Sequence, residues 1–192
     1  MLCPKKSPVF PALFMRNYAQ INYLCSQNHT TVMKYRCLSP EELEPLKEDF
    51  IQFLSANTIT GEDWANTKAN KPEEAEKIIG LFSDIVWEKS LEKIDALEHR
   101  DERYLKVFLF EEKKISLVGF SVKAKSAPSL LEEKTFSDLA SGALKFSELE
   151  ADFFTSTKNY TKDRSYEMFE MMEAGCTPCE KSYFYGIKSL MK

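Results

Sequence analysis

The sequence predicts an α+β fold: a mainly helical single domain with one antiparallel β-hairpin, at about residues 104–124, packed on helices. Three observations carry this. Helix-start signatures recur at Ser39-Pro40-Glu41-Glu42, Thr60-Gly61-Glu62-Asp63 and Asn70-Lys71-Pro72-Glu73. Apolar residues follow each at helical spacing. Only between Tyr104 and Ala124 does the period shorten to two, in runs rich in aromatic and β-branched residues.

The start of the domain is marked by a seam. Residues 1–32 contain Lys5, Lys6 and Arg16 and no Asp or Glu, whereas Glu41, Glu42, Glu44, Glu48 and Asp49 follow soon after Met33. Residues 1–32 therefore read as a non-domain extension, disordered or a start placed too far upstream. Residues 33–192 read as one domain of ordinary length. A chain of that size buries about two-thirds of its unfolded surface and needs no crosslink to fold.

The elements follow in order. Ser39 caps a helix with Pro40 at its first position and Glu42 bonding back. Leu43, Leu46, Phe50 and Phe53 give it one apolar face. Asn57–Thr60 is a break, and Thr60 starts a short helix bearing Trp64. A long helix runs from Pro72 to about His99, with Ala75, Ile78, Phe82, Ile85, Trp87, Leu91 and Ile94 inward and cations His99 and Arg100 at its end. Trp64 and Trp87 are expected in the core. The hairpin pairs Tyr104–Phe110 with Ile115–Ala124 across a polar turn. Two strands alone are marginal, so helices must cover them. Helical pieces return near Ser129–Leu139, through Phe146, Leu149 and Phe153, over Thr161–Ala174, and from Thr177 to the end.

Charge narrows the function. The whole chain has 26 basic and 30 acidic residues; without the three cations of residues 1–32 it has 23 and 30, a net charge of −7. Duplex binding draws its affinity from Lys and Arg on phosphates, so nucleic acid is not the expected partner. Lys113, Lys114, Lys123 and Lys125 read as lysines guarding a sheet edge. No run of about 18 apolar residues exists, so no membrane span is expected. Pro8 and Pro11 break the one segment that resembles a secretion signal. A cytoplasmic location follows, with no cofactor.

Three residue sets could carry chemistry or contacts. Cys176-Thr177-Pro178-Cys179 has the spacing of a redox or zinc pair. It sits between helices, however, where a βαβ unit is required for thioredoxin-like chemistry. A zinc site needs two further ligands, and Cys37 and His99 are the ones left after Met33. The alternative is a turn: Gly175 ends one helix in the left-handed region, Thr177 caps the next, Pro178 fills its first position and Glu180 closes a capping box.

Glu88, Glu92, Asp95 and His99, spaced four, three and four, would lie on one helix face able to hold a divalent metal. Ala96 stands where a Glu-x-x-His pair needs its Glu, and a solvated charged face is the plainer reading. Tyr183, Phe184, Ile187, Leu190 and Met191 recur at helical spacing, as an inner face or a partner-docking stripe. No Gly-rich phosphate loop, nucleophile elbow or zinc-protease helix is present.

The opening Met33-Lys34-Tyr35-Arg36 with Leu38, Glu41, Glu42 and Leu43 is followed by Phe50, Phe53, Leu54, Trp64 and Lys71-Pro72. Then come Phe82-Ser83-Asp84, Val86-Trp87-Glu88, Leu97-Glu98-His99 and the stretch Thr157 to Arg164. In these the chain resembles a family of uncharacterised bacterial, Bacteroidota-type proteins classed as a domain of unknown function. The resemblance implies a start at Met33 and supplies no activity, cofactor or catalytic residue. The expected function is a non-enzymatic interaction or regulatory module with a protein partner. The alternative is a small metal- or ligand-binding enzyme using the carboxylate–His stripe.

Overall fold

The computed structural model describes residues 33–191; the expectations for residues 1–32 lie outside them. The chain forms two compact units that divide between Ser90 and Leu91.

The first unit is helical. The first helix among the described residues, α1 (Pro40–Leu43), has the expected capping box: Ser39 Oγ accepts from the Glu42 N–H and the Glu42 carboxylate accepts from the Ser39 N–H. Pro45 lacks the N–H that would continue this helix. The chain tightens into a 3-10 turn at Glu44–Leu46 and resumes as α2 (Lys47–Ala56). Thr60 and Asp63 form a second capping box at the start of α3 (Gly61–Asn70). The long helix α4 spans Pro72–Leu91.

The core of this unit is aromatic. Phe50 lies edge-on to both Trp64 and Phe82, with ring centroids 5.3 and 5.0 Å apart, and Phe53 is 5.4 Å from Phe82. Trp87 is buried as expected, while Trp64 is half-buried.

Before α1 the chain is tied to α4 by its backbone. The Lys34 and Tyr35 N–H groups donate to the Asp84 carboxylate at 2.9 and 2.8 Å, and the Leu38 N–H to Ser83 Oγ at 3.0 Å. Lys34 Nζ and the Tyr35 hydroxyl both donate to Glu88 Oε2. Arg36 lies over the Trp87 ring and holds Glu42 through both terminal nitrogens.

The second unit overturns the single-hairpin expectation. The hairpin exists, as β2 (Tyr104–Phe110) and β3 (Lys114–Val122). It forms the middle of a five-stranded antiparallel sheet in the order β4-β3-β2-β1-β5. The added strands are β1 (Ala96–Arg100), β4 (Ala151–Asn159) and β5 (Thr177–Cys179). The sheet unit also holds α5 (Glu133–Ser141), α6 (Arg164–Glu173) and α7 (Lys181–Leu190).

Each missed strand has its physical reason. Ala, Leu and Glu favour helix, so Ala96–Arg100 reads as the end of α4. Pairing with Leu105–Leu109 overrides that local preference. Phe146, Leu149 and Phe153 do pack into one core, as their spacing suggested. They reach it from a turn and a strand, and Glu150, at φ 49°, makes the bend between. The lysines also change meaning: β3 is an interior strand, so Lys114 and Lys123 guard no edge. They pair instead with Glu111 and Asp152.

Residues opposite one another across the ladders share a face. One face carries Ala96, Leu105, Val107, Leu109, Val118, Phe120 and Val122, all buried in the main core. Phe184 and Ile187 of α7 and Phe136 and Leu139 of α5 pack against it.

Candidate functional site

The predicted metal stripe does not exist as one helix face. Helix α4 ends at Leu91, so Glu88 lies on the helix, Glu92 in the turn after it, Asp95 just before β1 and His99 within β1. Glu88 binds Lys34 and Tyr35, and Asp95 receives Lys181 Nζ at 3.3 Å. His99 stacks on Tyr104 with centroids 5.6 Å apart. Among the described residues no three His, Cys, Asp or Glu side chains are grouped so as to hold a metal ion.

The cysteine turn divides in two. Gly175, at φ 100°, ends α6 in the left-handed region as expected. Its N–H donates to the Met172 carbonyl and the Cys176 N–H to the Met171 carbonyl, the paired bonds of a Schellman cap. The second half is corrected. Thr177–Cys179 is not a helix start but β5, paired with Ala96–Glu98. Pro178 is tolerated there because an edge strand can spare its outer donor. Helix α7 begins only at Lys181, without a side-chain cap.

Cys176, Cys179 and Cys37 are free thiols. Burial pushes the Cys176 thiol up to about 11. Burial, reinforced by the Glu98 carboxylate, pushes Cys179 up to about 12. Both are therefore protonated at neutral pH, the opposite of a reactive pair.

Polar groups in the sheet unit act as fasteners. Glu167, 4% exposed, accepts from Lys158 Nζ at 2.6 Å, from the Thr161 and Lys162 N–H groups, and from the Thr161 hydroxyl. Burial alone would raise its carboxyl. The four donors outweigh it and hold the group at about 2. Arg164 donates to the Leu91 and Ile94 carbonyls, and the Tyr160 hydroxyl to the Glu111 carbonyl. Arg100 bonds Glu98 and lies 3.8 Å over the Phe136 ring.

Two further surfaces stand out as exposed among the described residues. The first is on α7. Phe184 and Ile187 are buried and Met191 packs against the core, whereas Tyr183, Tyr185 and Leu190 are about half-exposed (50, 55 and 48%). The predicted stripe thus splits. Tyr183 and Leu190, seven residues apart, share one flank with Gly186 between them. A Cβ on Gly186 would meet nothing within 4 Å. The second surface is the outer edge of β4, where Thr155–Asn159 are all exposed. Sequence reading missed it; its one signal was the alternating β-branched pair Thr155 and Thr157.

Fold and surfaces together define an antiparallel α+β protein in which Asp84, Glu167, Arg100 and Arg164 fasten its own loops and helices. The chain belongs to the family of unknown function DUF6495, whose model matches residues 33–192. Comparison with curated proteins and with solved structures gives no match. Residues that carried the family resemblance, among them Tyr35, Ser83, Asp84, Trp87, Lys158, Tyr160 and Arg164, are the ones making the fastenings above. Among the described residues no helix is long and apolar enough to cross a membrane.

Proposed function

We propose that this chain is a non-enzymatic protein-interaction module, beginning at Met33 and acting in the cytoplasm, whose contact element is the outer flank of α7. One observation carries the reading: a helix already anchored by Phe184 and Ile187 also presents Tyr183, Tyr185 and Leu190 to solvent. Half-exposed tyrosines supply large, stiff, amphipathic contact area and are enriched where proteins meet.

Charge describes the partner. Helix α7 carries Lys181 and Lys188 and no acid, within an otherwise acidic chain. A protein surface combining apolar side chains with carboxylates complements it. The start at Met33 is supported by the family match and by the Lys34 and Tyr35 N–H groups held on Asp84. Free thiols support a reducing compartment.

A photo-crosslinking residue placed at 183 or 190 in living cells tests the reading, with Glu62, exposed on α3, as control position. The expected result is an adduct of one discrete mass from positions 183 and 190 and none from 62. Diffuse or absent adducts at both α7 positions would overturn it.

A further inference from the structure

The two edges of the sheet are built differently. Strand β5 is three residues long and carries Pro178, a protected edge. Strand β4 is nine residues long, contains no Pro or Gly, and matches β3 one-to-one from Ala151↔Val122 to Asn159↔Lys114, so no bulge turns it away. Among the described residues its other side has no strand neighbour. Such an edge presents a row of backbone donors and acceptors ready for another strand.

The side chains select the strand. Asp152 and Lys158 are the only charged residues on β4, and each lies three positions from Thr155. In an antiparallel pair of β4 with itself, one register overlaps all nine residues, with Thr155 opposite Thr155. That same register sets Asp152 opposite Lys158, twice, and Phe153 opposite Thr157 and Phe154 opposite Ser156. A shift by two residues in either direction shortens the ladder and separates the charges. Opposite charges and aromatic–β-branched pairs are the favourable cross-strand neighbours.

Both charges have internal partners, Lys123 for Asp152 and Glu167 for Lys158. An ammonium has three donors and a carboxylate several acceptor sites, so each retains capacity for a second contact. We propose that β4 pairs with β4 of a second copy of this chain about a two-fold axis through Thr155, joining two five-stranded sheets into one continuous sheet. One strand pair buries less than the roughly 1,200 Å² of a standard interface, so the dimer is transient and not obligate.

Sedimentation of the full chain from low micromolar to about 200 μM tests this, with the mass expected to rise from 22.2 kDa towards twice that value. Position 155 meets its own copy, so Thr155→Lys and Thr155→Glu each place like charges face to face. Each alone is expected to dimerise about tenfold or more weakly. An equimolar mixture of the two is expected to recover the dimer, an outcome that misfolding cannot produce.

Thr155→Cys provides a second measurement. Residues opposite one another in an antiparallel ladder fall within disulfide range, so mild oxidation should yield a covalent dimer joined at position 155, identified by peptide mass analysis. A chain that stays monomeric throughout, a dimer indifferent to both charged substitutions, or Thr155→Cys that forms no crosslink would each overturn the proposal.

Discussion

The Phe154 ring lies across Gly119, its partner in the β3–β4 ladder. A Cβ at position 119 would fall 2.7 Å from Phe154 Cε2 and even closer to the Leu105 carbonyl oxygen. The ring can turn aside, but the carbonyl belongs to the neighbouring strand and cannot. Gly119→Ala is therefore expected to destabilise the protein by about 1–3 kcal/mol, read as a lower urea midpoint at unchanged slope. Phe154→Ala in the Gly119→Ala background should recover only part of the loss, because the backbone clash remains.

Glu167 makes stability depend on acid. Its folded carboxyl lies at about 2 against an ordinary 4.5. The folded state therefore binds this proton less readily than the unfolded state. The contribution is fully present above about pH 4.5 and is lost as pH falls towards 2. Glu167→Gln keeps the shape and removes the charge, at a cost of about 1–3 kcal/mol near neutrality. The gap between the two proteins should narrow between pH 4.5 and pH 2 in denaturant titrations. A gap of constant size across that range would show that the carboxylate is not the fastener.

The raised thiols of Cys176 and Cys179 predict slow chemistry. With Cys176 at about 11 against an ordinary 9, its thiolate fraction at pH 8 falls about a hundredfold. Iodoacetamide labelling followed by peptide mass analysis should find both cysteines nearly unmodified in the native protein and rapidly modified in urea. Fast native labelling at either position would restore the redox reading of the Cys-x-x-Cys pair.

Arg164 is expected to be irreplaceable by Lys. Its guanidinium donates to the Ile94 carbonyl at 2.7 Å and the Leu91 carbonyl at 3.4 Å, and lies over the Phe110 ring. One planar group thus ties α6 to the turn between α4 and β1. Arg164→Ala should cost about 2 kcal/mol, and Arg164→Lys most of that, since a point charge cannot span both carbonyls. Thermal unfolding of the two variants checks the order.

How far the sequence reached varies by element. Ser39, Thr60 and Pro72 announce their helices through contacts within one turn, and the structure begins helices beside each. The β2–β3 hairpin was visible because its alternation and its turn are both local. Strand β1 was not, because Ala96-Leu97-Glu98 is a helix-forming run held extended by neighbours on both sides. The carboxylate–His stripe fails for the same reason: its geometry needs a helix that reaches His99, and α4 ends at Leu91. On α7 the apolar spacing was legible, but its division into anchoring and exposed residues required the sheet beneath it. Nothing in the sequence singled out Glu167, whose donors lie five to nine residues before it and converge only in the folded loop.

The sequence by itself determined the acidic α+β character, the helix starts and the central hairpin, since propensity, capping and alternation act over a few residues. Only the tertiary structure decided the five-stranded sheet, the dispersal of the supposed metal ligands and the open edge of β4. Strand pairing joins residues far apart in the chain, and its free energy comes from neighbours that no short window contains.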